Sequence, residues 1–272
     1  MKNKSKKILI LGIHGMLGSN MYLQMKDKFD VYGSVRTQSS ITENIYNFEH
    51  NEENLIDIIY KIKPDILINC IAILKENNDK LNMLYSNCTL PIFLSNYCKE
   101  KDIYFIHFSS DAVFKSSFEY NKVDEIHSPE SFYGLTKAIS ESIKNKSLIF
   151  RICPIGYERF SNKSLFNFIF NSQLDSSING FKNCFFNGTT VNEIINKVID
   201  LINKNEKIIG LYHITGPTIS KYELLQIINK EYNLNKNIVP VDNPSICRLL
   251  EPSEYSTTKD WNTMINEMKS SK

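Results

Sequence analysis

From residue 6 to residue 153 the chain alternates short, nearly continuous apolar runs with longer stretches of helical apolar spacing. The runs "KKILILGI" (6–13), "DILINCIAI" (65–73), "IYFIHFSS" (103–110) and "SLIFRIC" (147–153) read as strands. Their unbroken apolarity is what a strand covered on both faces requires. "DVYGSVR" (30–36) adds a further strand. Between them lie "HGMLGSNMYLQMKDK", "ENLIDIIYKIKP", "NMLYSNCTLPIFLSNYCKEKD" and "SFYGLTKAISESIKNK", which read as helices, with Pro91 disturbing the early part of the third. This rhythm predicts an α/β fold, a doubly wound parallel sheet of the Rossmann type over residues 1–150. After Arg151 the rhythm loosens. Residues 151–272 are expected to form mostly a smaller C-terminal region, with "GLYHITG" supplying a strand near 210–215 that returns to the sheet. "SKYELLQIINKEYN" opens on a capping box, Ser220 followed by Glu223, and the tail from Pro252 is expected to be peripheral.

The 272 residues suffice for one large domain or two coupled ones. A formal net charge of +2 gives no electrostatic footprint for nucleic acid or a membrane surface. The basic start "MKNKSKK" precedes an apolar run too short to span a bilayer and without a small-residue cleavage site. The six cysteines, at 70, 88, 98, 153, 184 and 247, have no metal-ligand spacing, so no metal site is expected. They read as free thiols, and the chain as cytoplasmic.

"GIHGMLG" places Gly12, Gly15 and Gly18 between a strand and a helix. In that setting the turn brings backbone close to a pyrophosphate, and the helix N-terminus offers N–H donors and the positive end of its dipole. The next strand ends in Arg36, where an acidic residue would hold the ribose hydroxyls of NAD. A guanidinium suits a 2′-phosphate, which favours NADPH; with Arg36 merely solvated, NADH also fits.

"SFYGLTKAISESI" sets Tyr133 and Lys137 four residues apart, on one helical face. A fixed cation there is expected to draw the phenol's pKa down, so that it exchanges a proton with a substrate oxygen near neutral pH. "FSSDAVF" closes a strand with Ser109 and Ser110, either of which could donate a hydrogen bond to a substrate carbonyl.

The ordered set of "ILILGIHGMLG", "KPDILINC", "SSDAVF" and "YGLTK", followed by "FFNGTT" and "GLYHITGPTISKYELL", resembles the extended short-chain dehydrogenase/reductases, specifically the dTDP-4-dehydrorhamnose reductase family, over nearly the whole chain. The resemblance implies an NADPH-dependent reductase of a nucleotide-activated 4-keto-6-deoxyhexose, dTDP- or UDP-linked, with a 2-hydroxyl or a 2-acetamido group. Tyr133 would be the general acid, Lys137 would hold the nicotinamide ribose, and Ser110 would bond the carbonyl with Asp111 near the sugar. Gly12, Gly15, Met16, Leu17 and Gly18 would line the pyrophosphate, and Ala72, Ile73 and Leu74 would run along the cofactor. Residues 151–272 would bind substrate, a homodimer being the family's usual prior.

Three departures from the family pattern bear on the chemistry. The acid near the adenine is blurred into "YNFEH". Pro154 stands where many reductases seat the sugar against tryptophan. Ala112 replaces the glutamate of the related dehydratases and the cysteine of epimerase-reductases, which argues for plain reduction. A bifunctional epimerase/reductase and a catalytically silent NADP-binding regulatory subunit remain alternatives. Arg248 in "SICRLLEP" is a candidate for the substrate diphosphate. His14 is expected to face solvent or cofactor, His107 and His213 to be structural, and Cys153 to lie near the pocket without an activated thiolate.

Overall fold

The computed structural model describes residues 6–36, 44–48, 51–74, 79–173 and 177–270. The chain begins β1 (Lys7–Leu11), α1 (Met16–Met25), β2 (Asp30–Val35), β3 (Ile45–Asn47), α2 (Glu52–Ile62), β4 (Ile66–Asn69), α3 (Lys80–Leu84), α4 (Leu90–Glu100) and β5 (Tyr104–Ser110). It continues through β6 (Tyr120–Asn121), α5 (Phe132–Ser140), β7 (Leu148–Ile152), β8 (Pro154–Ile155) and α6 (Leu165–Asn171). Then come β9 (Ser177–Phe181), β10 (Cys184–Phe186), β11 (Thr189–Thr190), α7 (Val191–Lys204) and β12 (Gly210–His213). Last are β13 (Ile219–Ser220), α8 (Lys221–Glu231), β14 (Asn237–Val241), β15 (Ile246–Leu250) and α9 (Trp261–Ser270).

Seven strands form one parallel sheet in the order β12-β7-β5-β4-β1-β2-β3. Successive residues of a strand face opposite sides, and the core divides accordingly. Ile8, Ile10, Ile68, Ile106 and Phe150 pack on the side of α1 and α7, whereas Leu9, Leu11, Leu67, Phe105 and Ile149 pack on the side of α2 and α4. From β1 the order runs to β2 on one side and to β4 on the other. That reversal opens a crevice beyond the carboxyl ends of β1 and β4, where a doubly wound sheet takes its ligands.

Three elements differ from the sequence reading. The run 65–73 is a strand only to Asn69, because side chains take over its backbone partners. The amide of Ile71 donates to Asn69 Oδ1 (3.1 Å), and that of Ile73 to Asn87 Oδ1 (2.8 Å). The helix read over 82–102 starts at Lys80 and passes through a π-helical turn at Tyr85–Thr89 just before Pro91, which has no N–H to continue the regular ladder. The tail is not peripheral: Trp261, Met264, Ile265 and Met268, spaced as one helical face, are at most 5% exposed within the main core. Among the described residues, no helix is long and apolar enough to cross a membrane.

Candidate active site

β1 ends in Gly12, whose φ of +81° suits glycine, and a Cβ added there would lie 3.1 Å from the backbone nitrogen of Ile71. The amides of Gly12 and Ile13 both donate to the carbonyl of Ser34 at the end of β2, at 3.1 and 3.0 Å, which fixes the turn against the neighbouring strand. Gly15 caps α1 in an extended conformation with no side-chain acceptor. The first amides of α1 therefore face the crevice without a side-chain cap, which is how a helix start receives an anion. Gly18 does not line the crevice. A Cβ there would lie 2.3 Å from the Gly12 carbonyl oxygen, so its smallness lets α1 lie close on the end of β1.

The crevice is a cleft of about 490 Å³ that gathers most of the residues singled out in the sequence. Gly12, Gly15, Met16 and Leu17 line one end, with Arg36 at the end of β2; Ala72, Ile73 and Leu74 belong to its lining, as do Ser110, Tyr133, Lys137 and Pro154. Asp111 and Arg248 are not among the lining residues. Arg248 instead donates to Glu130 at 2.7 Å and to the carbonyl of Phe114 at 3.1 Å. Of the blurred segment "YNFEH", Glu49 and His50 lie outside the described residues.

α5 starts where Ser131, in extended conformation, accepts the amide of Gly134 at 3.1 Å. A Cβ on Gly134 would come within 2.1 Å of the carbonyl oxygen of Ala112, so α5 and the turn after β5 meet backbone to backbone. This contact brings Tyr133 to Ser110. The phenol is pushed up to about 12, first by burial, with Asp111 and Cys153 adding to the rise and Ser110 opposing it. The expected lowering by Lys137 is not found. The Lys137 side chain, 2% exposed, donates to the carbonyl of Phe108 at 2.5 Å. Its ammonium is lowered to about 8 by burial, against the opposing effect of Glu141 and Cys70. Ser110 Oγ donates to Asp111 Oδ1 at 3.0 Å and accepts the amide of Ala112 at 3.2 Å. Burial raises the Asp111 carboxyl and raises the Cys153 thiol well above its ordinary value.

Beneath the cleft lies a buried polar cluster that the sequence reading missed. Arg151 of β7 grips Glu141 through two bonds, Nε to Oε1 at 2.9 Å and Nη2 to Oε2 at 2.7 Å. Ser109 of β5 donates to the same carboxylate at 2.5 Å, and His127 Nε2 lies 2.7 Å from it. With these partners Glu141 is held at about 2 despite its burial. His213 is packed between Arg151 (3.1 Å) and the carbonyl of Glu251 (2.8 Å). His107 is packed between Asn69 and Ser140 (3.3 Å each). Asn87, in the π-helical turn, holds both the amide and the carbonyl of Ile73 and donates to Thr136 of α5 at 3.2 Å. It thereby ties one wall of the cleft to the helix that carries Tyr133. The only trace of Asn87 in the sequence is the nearby Pro91.

A family model described as the RmlD substrate binding domain matches residues 6–266. The chain belongs to that family. Its solved structural relatives show the same fold at low identity. A hypothetical dTDP-4-dehydrorhamnose reductase from Sulfolobus tokodaii is 22% identical, with 94% of this chain and 98% of that one covered and a TM-score of 0.77. The dTDP-4-dehydrorhamnose reductase of Bacillus anthracis, solved in complex with NADP, is 15% identical over 98% and 100% of the two chains, with a TM-score of 0.82. The enzyme of the same name from Yersinia enterocolitica is 22% identical over 98% and 99%, with a TM-score of 0.76. The RmlD family is thus the one that the ordered motifs of this chain resemble.

Proposed function

We propose that this chain is an NADPH-dependent reductase of a nucleotide-activated 4-keto-6-deoxyhexose, dTDP- or UDP-linked, acting in the cytoplasm. One observation carries the reading: a single cleft joins an uncapped helix start behind a glycine turn to a serine–tyrosine pair beside a buried lysine. Membership in the RmlD family and the NADP of the Bacillus anthracis relative support it. The cleft suits a dinucleotide, because Gly12 and Gly15 line it at the turn and the uncapped first amides of α1 supply donors.

When bound, the dinucleotide supplies a hydride to the substrate's carbonyl carbon. Tyr133 meets the charge that develops on the oxygen: a phenol held near 12 keeps its proton at neutral pH and is ready to donate it. Ser110 turns its hydroxyl from Asp111 to the same oxygen. Lys137, charged at pH 7, lies one turn along α5 to hold the ribose and to favour the tyrosinate left behind. Pro154 borders the sugar, Asp111 acts only through its bond from Ser110, Arg36 takes the 2′-phosphate, and residues 151–272 furnish most of the substrate side. Cys153, with its thiol held protonated by burial, offers no base for epimerisation, which favours plain reduction. The test is NADPH consumption by purified protein with dTDP- and UDP-linked 4-keto-6-deoxysugars in deuterated buffer. Turnover without label at C3 or C5 of the product is expected. No turnover with any such sugar would instead fit a silent NADP-binding subunit.

A further inference from the structure

The cleft has a second wall, contributed by the far half of the chain. Glu158, Ser161 and Lys163 face the same space as Gly12, Gly15 and Arg36. The loop that carries them has its own hydrogen-bonded framework. Asn167 Nδ2 donates to the carbonyls of Glu158 (2.8 Å) and Ser161 (3.0 Å), and Asn167 Oδ1 accepts the amide of Glu158 (3.0 Å). The loop is also fastened to the glycine turn and its helix at two points. Asn20 of α1 donates to the carbonyl of Tyr157 at 3.0 Å, and the ring of Phe160 lies 4.2 Å from that of His14, at 32°.

Charge distinguishes the loop's two ionic side chains. One carboxylate oxygen of Glu158 accepts the amides of Lys163 (2.6 Å) and Ser164 (2.9 Å) and so serves the loop itself. The ammonium of Lys163 makes no hydrogen bond or ion pair among the described residues, yet it borders the cleft that receives the uncapped end of α1. Two positive features face one space in which the carboxylate among the described lining residues, that of Glu158, is taken up by the loop's own amides, and a pyrophosphate would satisfy both.

We propose that Lys163 binds the pyrophosphate of the dinucleotide from the side opposite α1, with the His14–Phe160 stack setting the loop's position over it. This rests on the reading of the cleft as a dinucleotide site. The assignment to pyrophosphate rather than 2′-phosphate follows from the stack. Phe160, three residues from Lys163, meets His14 inside the glycine turn, whereas Arg36 stands at the end of β2. Cofactor binding then joins the two halves of the chain.

The test is calorimetric titration of the full-length protein with NADP+ and NAD+. Lys163 and Phe160 are exposed, so their replacement leaves the core intact. Lys163→Gln is expected to weaken both dinucleotides by the same factor, about tenfold, as for a lost charge-assisted bond. It should also flatten the dependence of affinity on salt. Lys163→Arg should restore most of the affinity, and Phe160→Ala should weaken both ligands in parallel. Loss confined to NADP+ would assign Lys163 to the 2′-phosphate and overturn the proposal, as would unchanged affinity for both. An unchanged Phe160→Ala would remove the role of the stack. If the unaltered protein bound neither dinucleotide, the reading of the cleft would fail, and this inference with it.

Discussion

Lys137 Nζ lies 2.5 Å from the carbonyl oxygen of Phe108, so the lysine that shares a helical face with Tyr133 is anchored to the strand beneath it. Burial lowers the ammonium to about 8, below its ordinary 10.5, against the opposing effect of Glu141 and Cys70. Between those values the unfolded chain binds more protons than the folded one, so this group makes stability rise with pH from about 8 to 10.5. Below 8 the cost of burying the charge is present in full. Lys137→Met should therefore be at least as stable as the parent at pH 7, with an advantage that shrinks towards pH 10.5, while losing activity. Thermal melts across that range decide it, and a difference that stays flat with pH would contradict the assignment.

Tyr133→Phe removes the donor and little else. Turnover should fall by about 10²–10⁴-fold, the usual share of a positioned acid. NADPH affinity should stay within a few fold, as read by fluorescence titration. Retained turnover would disqualify the phenol as the acid.

Glu141 is held at about 2 against an ordinary 4.5. The unfolded chain thus takes up its proton first as pH falls, and the stability this carboxylate contributes above 4.5 is lost progressively towards pH 2. Glu141→Gln should cost about 3–5 kcal/mol at neutral pH, because it leaves Arg151 buried without its counter-charge. It should also flatten the acid limb of the stability profile measured by urea titration.

Gly134→Ala places a methyl group 2.1 Å from the Ala112 carbonyl oxygen, where only a backbone shift relieves the clash. A loss of about 1–3 kcal/mol is expected from such overpacking. Activity should fall further than stability, since the shift separates Tyr133 from Ser110. Chemical denaturation and turnover on the same variant separate the two effects.

Arg36→Ala should raise the KM for NADPH and leave that for NADH nearly unchanged, because only the former carries a 2′-phosphate. Equal effects on both would place the guanidinium elsewhere on the cofactor.

The parallel sheet was legible because strands buried on both faces must be continuously apolar, and "DILIN" and "YFIHF" have no other use for that pattern. The glycine turn and the Tyr133–Lys137 pair were legible because local spacing sets them. The tail was misjudged, since four residues of one helical face, Trp261 to Met268, carry little signal within a polar segment. The strand ending at Asn69 was overrun, because apolarity does not reveal that Asn69 and Asn87 take the backbone bonds beyond it.

Local chemistry alone therefore determined the fold class, the turn that suits a phosphate and the face that bears a phenol and an ammonium, because each depends on residues within a few positions of one another. Only the tertiary structure decided the proton affinities and the walls of the cleft. Burial turned an expected fall at Tyr133 into a rise, and it was folding that set Glu141 against Arg151 and brought Lys163 into the same cleft as Gly15. Desolvation and pairing depend on what surrounds a group in space, and for these residues the surroundings come from segments distant along the chain.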